Sequence, residues 1–265
     1  MPSPVLVAGC GGPATGQDEP HLFEALPAPS PPPTAVPTPL FDDARSSNGR
    51  HAGREWRLVF SDDFDGPRLD PNAWNRYDSV GGFGSGFRRP EAISVKDGKL
   101  RITARGNISG GMNHERSQTY GRWEFRARTE KGRGLGSAIL LWPDSLDMRA
   151  DGELDMMEVP DEGRSEAHFV IHYSTQNKLA GTQVAGDFSQ WHTFAMDWLP
   201  NRITWYVDGV KQFETTDRNV IPRSSMHLAI QLDMGPFEEW IPAPDETTPA
   251  EVDLEVDWVR VYARR

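Results

Sequence analysis

The stretch Gly152-Glu153-Leu154-Asp155-Met156-Met157-Glu158-Val159 constrains the fold more than any other part of the chain. Three carboxylates fall within it, interleaved with bulky apolar side chains that have no reason to line a solvent loop. Such interleaving reads as a strand with one face in a core, on which Glu153 and Asp155 point the same way. Glu158 would point to the opposite side of a regular strand. A β-bulge between Asp155 and Glu158 would insert one residue and return Glu158 to the carboxylate face, so a bulge is expected here.

Acids crowded on one face repel one another, which drives their pKa values apart and leaves one protonated near neutral pH. Glycoside hydrolysis uses one ionised carboxylate and one carboxylic acid, roughly 5–5.5 Å apart in a retaining mechanism. The competing readings are a solvated acidic face and a cation site. A cation loop would add Gly, Asn or carbonyl ligands that are not obvious around these three acids.

The rest of the chain reads as all-β from Trp56 onward: short apolar runs broken by Gly, Asp and Pro at spacings of about 8–15 residues, without a sustained helical pattern. Ile93–Val95 and Lys99–Arg105 flank Asp97-Gly98, and Arg202–Val207 and Val210–Glu214 flank Asp208-Gly209. Both dipeptides favour two-residue hairpin turns because they tolerate positive φ. Further strands are expected at Tyr120–Thr129, Gly136–Trp142, Glu153–Val159, Ala167–Tyr173, Trp191–Trp198, Met226–Leu232 and Asp253–Tyr262. So many strands without helices point to a sandwich of two antiparallel sheets.

Residues 1–54 hold eleven of the 22 prolines and none of the nine tryptophans, so they cannot build a core. Pro27–Pro39 reads as an extended, polyproline-like linker. Val5–Gly12 resembles the end of a bacterial lipoprotein signal with Cys10 as the lipidated residue, lacking a basic n-region and a full apolar segment. Residues 55–265 are the expected catalytic domain, a monomer. The location implied is outside the cytoplasm, secreted or held at the cell surface. A formal net charge of −11 argues against nucleic acid and anionic lipid as partners and is compatible with a neutral polysaccharide. Cys10 is the sole cysteine, which excludes a disulfide framework and cysteine-based metal sites. No apolar run is long enough for a membrane span.

The six residues from Glu153 to Glu158 fit the Glu-x-Asp-x-x-Glu signature of glycoside hydrolase family 16, and the chain resembles that family over Leu58–Tyr262. The supporting blocks are Val59–Gly66, Tyr120–Arg128, Trp191–Trp198, Trp205–Gly209 and Val256–Tyr262, in the family's order. The resemblance implies a concanavalin-like jelly roll with the signature on a bulged strand. By it Glu153 is the nucleophile, Glu158 the general acid/base and Asp155 the carboxylate that tunes the nucleophile. It further implies a retaining endo-hydrolase of a β-linked polysaccharide, a β-1,3- or mixed β-1,3/1,4-glucan first. A glucan transglycosylase, an endo-β-galactanase and a non-catalytic binding module are the alternatives.

Several residues are candidates for binding. Trp142 is the first choice for stacking on a sugar, from two residues beyond Leu140, where many relatives carry tryptophan. His172 should lie beside the acidic strand, within reach of Glu158 or substrate. His168 and His172, about 13 Å apart along a strand, are too distant for shared zinc ligation. Gly81–Arg88 reads as a glycine-rich cleft rim from which Phe83, Phe87 or Arg88 reaches sugar. This segment and Gln231–Pro236 depart from the blocks usual in the family. No cofactor is required by this reading. Asp65 and Asp257 are the candidates for a structural calcium.

Overall fold

A computed structural model describes residues 55–265. Cys10 and the Pro27–Pro39 stretch, and with them the lipoprotein and linker readings, lie outside the described residues. Both expected hairpins form, Ile93–Lys96 with Lys99–Arg105 and Arg202–Val207 with Val210–Thr215. At their tips Asp97 and Gly98 take φ of 53° and 65°, and Asp208 and Gly209 take 49° and 76°. Positive φ at both central residues matches the right-handed twist of the flanking strands.

The strands form two antiparallel sheets in a jelly-roll-like sandwich. One sheet runs in the order Lys178–Ala185, Glu166–Tyr173, Glu153–Val159, Leu135–Pro143, Met226–Met234, Ile108–Gln118 and Trp74–Arg76. The other runs Ile93–Lys96, Lys99–Arg105, Glu251–Arg264, Gly121–Thr129, His192–Leu199, Arg202–Val207 and Val210–Thr215. Trp56–Asp62 pairs along the C-terminal half of Glu251–Arg264. The pair Arg105 and Ile108 joins the sheets at one edge.

The core fills the space between them. Leu154, Met156, Ile139, Leu141, Phe169, Ile171, Leu228 and Ile230 come from the first sheet. Phe125, Phe194, Met196, Trp198, Trp205, Leu254 and Val256 come from the second. Each large side chain buried this way contributes about 1.5–3 kcal/mol. Because alternate residues share a face, this burial turns the intervening residues of the first sheet outward onto its opposite surface.

Among the described residues helix is confined to short turns, and the one α-helix, Met148–Asp151, delivers the chain to the acidic strand. Its N-terminus is capped by Asp147, whose side chain accepts from the Ala150 N–H at 3.1 Å. It ends at Gly152, with φ of 84°. A Cβ there would lie 2.8 Å from the His172 carbonyl oxygen, so glycine permits both the turn and the close approach to the neighbouring strand.

Candidate active site

The expected bulge is present. Against Glu166–Tyr173, the acidic strand pairs Glu153 with His172 and Asp155 with Val170, then slips register and pairs Glu158 with His168. On its other side it pairs Asp155 with Leu140 and, after the slip, Glu158 with Ala138. The adjacent methionines absorb the extra residue: Met156 and Met157 are both fully buried in the core. Two consecutive residues facing inward return Glu158 to the side of Glu153 and Asp155.

Glu153 and Asp155 are almost completely enclosed, whereas Glu158 is half-buried and reachable from solvent. Burial, and then the charge of Asp155, pushes the Glu153 carboxyl well above the usual range. Burial and the charge of Asp155 also push Glu158 up, to about 8. Carboxylate oxygens of Glu153 and Asp155 lie within 4.8 Å of each other, close enough that full ionisation of both is disfavoured. His172 supplies countercharge, its Nε2 3.3 Å from Asp155 Oδ2 and its Nδ1 2.8 Å from Asn177 Oδ1. Burial disfavours the imidazolium, but the bond and charge of Asp155 outweigh it and raise His172 to about 10. Nδ1 donates to the Asn177 amide oxygen, and Nε2 faces Asp155 as an ion pair.

His172 therefore engages Asp155 rather than Glu158, the partner expected from the sequence. The group set beside Glu158 is Trp240, which lines the same crevice and whose indole acts to lower the Glu158 carboxyl; sequence reading missed it. The Trp240 ring meets the His168 imidazole edge-on, centroids 4.5 Å apart. Trp142 comes into the site as expected. Continuing the pairing of Leu141 with Leu154 sets Trp142 across from Glu153, half-buried against a small cluster of Ala138, Leu140 and Ala229.

The glycine-rich rim corrects the sequence reading twice. Arg88 does not reach toward sugar; it is buried in an ion pair with Asp233, with a further bond of 2.9 Å to Gln231 Oε1. Phe87 projects from the other side of its strand, with the Arg89 guanidinium 4.6 Å from its ring centre. Phe83 is the rim aromatic at the site. It stacks on Phe237 at 4.2 Å and, with Trp240, Gln231 and Asp233, walls a small crevice, open to solvent, beside Glu158.

Asp257 is buried 2.8 Å from Arg126, and neither it nor Asp65 belongs to a group of three metal-ligating side chains among the described residues. The group that does meet that geometry is Glu153, Asp155 and His172, with ligand atoms within 4.8 Å of one another. A cation there would contend with the His172 imidazolium already on Asp155.

A sandwich with a bulged strand that gathers three carboxyl groups, one protonated near neutral pH and reachable from solvent, defines the glycoside hydrolase class. The profile of glycosyl hydrolases family 16 matches residues 87–260, and the chain belongs to that family. A β-glucanase of Rhodothermus marinus is 33% identical over 247 residues, covering 78% of this chain and 85% of the relative. The glucan endo-1,3-β-glucosidase A1 of Niallia circulans is 26% identical over 262 residues, covering 77% of this chain and 37% of its own length. Among solved structures, the catalytic domain of an endo-1,3-β-glucanase (laminarinase) from Thermotoga petrophila superposes with a TM-score of 0.74 at 25% identity, covering 80% of this chain and 99% of that one.

Proposed function

We propose that the protein is a retaining endo-hydrolase of β-1,3- or mixed β-1,3/1,4-linked glucan. Glu153 is its nucleophile, Glu158 its general acid/base, and Asp155 the partner that shares a proton with the nucleophile. The observation that carries this reading is the bulge, which turns all three carboxyl groups to one face while Met156 and Met157 go to the core. Proton displacement toward Asp155 frees a Glu153 oxygen to attack the anomeric carbon. Glu158 gives its proton to the departing glycosidic oxygen as that bond breaks. Glu158, now ionised, takes a proton from water, which attacks the same carbon and releases Glu153. A raised Glu158 suits the first step, because the acid form persists at neutral pH. Trp142 offers an apolar face across from Glu153 for a pyranose ring.

The β-glucanase relatives support a glucan, and so does the laminarinase structure. A polymeric substrate requires an enzyme outside the cytoplasm, which agrees with a lipid-anchored Cys10 and a Pro-rich tether. Failure of a clickable palmitate analogue to label Cys10 in the producing cell would remove the anchor from this proposal.

The full chain and its Glu153→Gln variant, given β-1,3-glucan, mixed-linkage glucan, cellulose, xylan and β-galactans, test the central reading by release of reducing ends. Cleavage of a β-1,3-containing glucan is expected, with a loss on the order of 10⁴-fold in the variant. Cleavage of galactan alone would overturn the substrate. Cleavage that survives in the variant would overturn the nucleophile.

A further inference from the structure

Trp240 lies far from the acidic strand in sequence, yet it lines the same crevice as Glu158, and its ring lies against His168, the residue paired with Glu158 across the bulge. His168 is itself held, with Nε2 3.1 Å from Glu166 Oε1. Burial lowers the His168 pKa, so it stays neutral and serves as an apolar edge for the indole. Phe237 and Ile241 bridge the two ends of the turn that carries Trp240, and Phe83 stacks on Phe237.

We propose that Trp240 is a positioning residue for the acid/base: by donating to Glu158 it orients that carboxylate and favours its ionised form when water must be activated. The inference rests on the reading of Glu158 given above. A retaining enzyme asks opposite things of one carboxyl group, an acid in the first step and a base in the second. Enclosure beside Asp155 favours the acid. A donor that strengthens on ionisation favours the base.

Every titratable group around Glu158 enters the balance. Glu153 and Asp155 share its strand, and His172 and the Glu166-paired His168 face it from the adjacent one. Asp233 lines the crevice beside it and is ion-paired with Arg88. Glu238 and Glu239, next to Trp240, are exposed to solvent. Trp240 is the neutral donor among them.

The test uses the full chain and the 2,4-dinitrophenyl β-glycoside of the disaccharide released from the cleaved polymer. This leaving group needs no acid, so the second step limits kcat. Trp240→Phe keeps an aromatic ring against His168 and removes the donor. It should lower kcat about tenfold while kcat/KM changes less than about twofold, and should shift the acid limb of the kcat profile up by about one pH unit. Azide, a nucleophile that needs no base, should restore kcat and yield the glycosyl azide. Trp240→His, which can still donate, should recover part of kcat without azide. An unchanged kcat and pH limb would overturn the inference. So would an equal loss in kcat and kcat/KM that azide does not repair, because that marks lost packing or substrate stacking. Glu158→Ala distinguishes the two levels: if azide fails to rescue it, the acid/base reading falls, whereas rescue there but not in Trp240→Phe removes the Trp240 inference alone.

Discussion

The Glu251–Arg264 strand carries Glu251, Asp253, Glu255 and Asp257 at alternate positions, a denser acidic pattern than that of Glu153–Val159, and it too slips register, between Val256 and Trp258. It lies in the other sheet. Each of its acids meets arginine: Glu251 with Arg105 at 2.8 Å, Asp253 with Arg101 at 3.2 Å, and Asp257 with Arg126 at 2.8 Å. Glu255 lies between Arg101 at 2.7 Å and Arg128 at 2.6 Å. Glu255 and Glu153 are each 2% exposed. Burial works to raise Glu255, but its bonds to Arg101 and Arg128 outweigh it and hold the carboxyl below the usual range. Glu153, enclosed beside another carboxyl, goes the other way. Acid spacing makes a strand acidic; the charge across from it decides whether the acids brace a sheet or stay reactive.

The sharpest break of this comparison is the pair Glu153→Gln and Glu255→Gln. Losing the proposed nucleophile should abolish turnover and leave urea stability unchanged or up to about 1 kcal/mol higher, because a crowded carboxyl is relieved. Glu255→Gln should do the reverse, retaining activity and losing about 1–2 kcal/mol, since charged hydrogen bonds are weakened but their arginines are partly solvated. Equal destabilisation by both would mean that the two strands are not differently built.

The pattern that identifies the site was legible because it is local. Alternation, the Met156-Met157 insertion and the Asp-Gly turns are each set within a few residues. Ile108–Gln118 and Lys178–Ala185 escaped because they lack an apolar alternation and carry glycines inside strands. Those glycines answer to neighbours distant in sequence. A Cβ at Gly111 would lie 2.7 Å from the Tyr77 ring, and one at Gly181 would lie 1.9 Å from the Phe169 carbonyl oxygen. Arg88 was misread for the same reason. Its glycine-rich surroundings suggest a rim, but its partner Asp233 is 145 residues away. Nothing near Glu158 in sequence announces Trp240.

Opposite pKa directions give opposite pH dependences of stability. Glu158 is raised to about 8, above an unfolded value of about 4.3, so its contribution is fully present below about pH 4.3 and is lost as pH rises toward 8. Glu255 is lowered, so its contribution is present above the ordinary carboxylate range and is lost as pH falls through its folded value. Glu158→Gln should therefore flatten the decline in urea midpoint between about pH 4.5 and 8 and leave the acid limb alone. Glu255→Gln should soften the acid limb only. In the native enzyme kcat/KM should fall above about pH 8 as Glu158 loses its proton. A decline in urea midpoint that persists unchanged in Glu158→Gln would assign it to His172, whose raised value of about 10 also withdraws stability as pH rises.

The smallest effect is the most direct on the question of countercharge. Arg128 is 35% exposed and, besides its ion pair with Glu255, lies 4.9 Å from the Trp191 ring centre. Arg128→Met keeps an unbranched apolar chain over that ring and removes one of the two cations on Glu255. Stability should fall by less than about 1 kcal/mol, because the lost pair is partly solvated, and activity should not change. The Glu255 carboxyl, followed by the carbon chemical shift of its labelled side chain, should titrate at higher pH than in the native protein. That moves a bracing glutamate toward the behaviour of Glu153 without altering its burial or its strand. A titration that stays in place would mean that Arg101 alone sets Glu255, and that the contrast between the two acidic strands rests on a single contact.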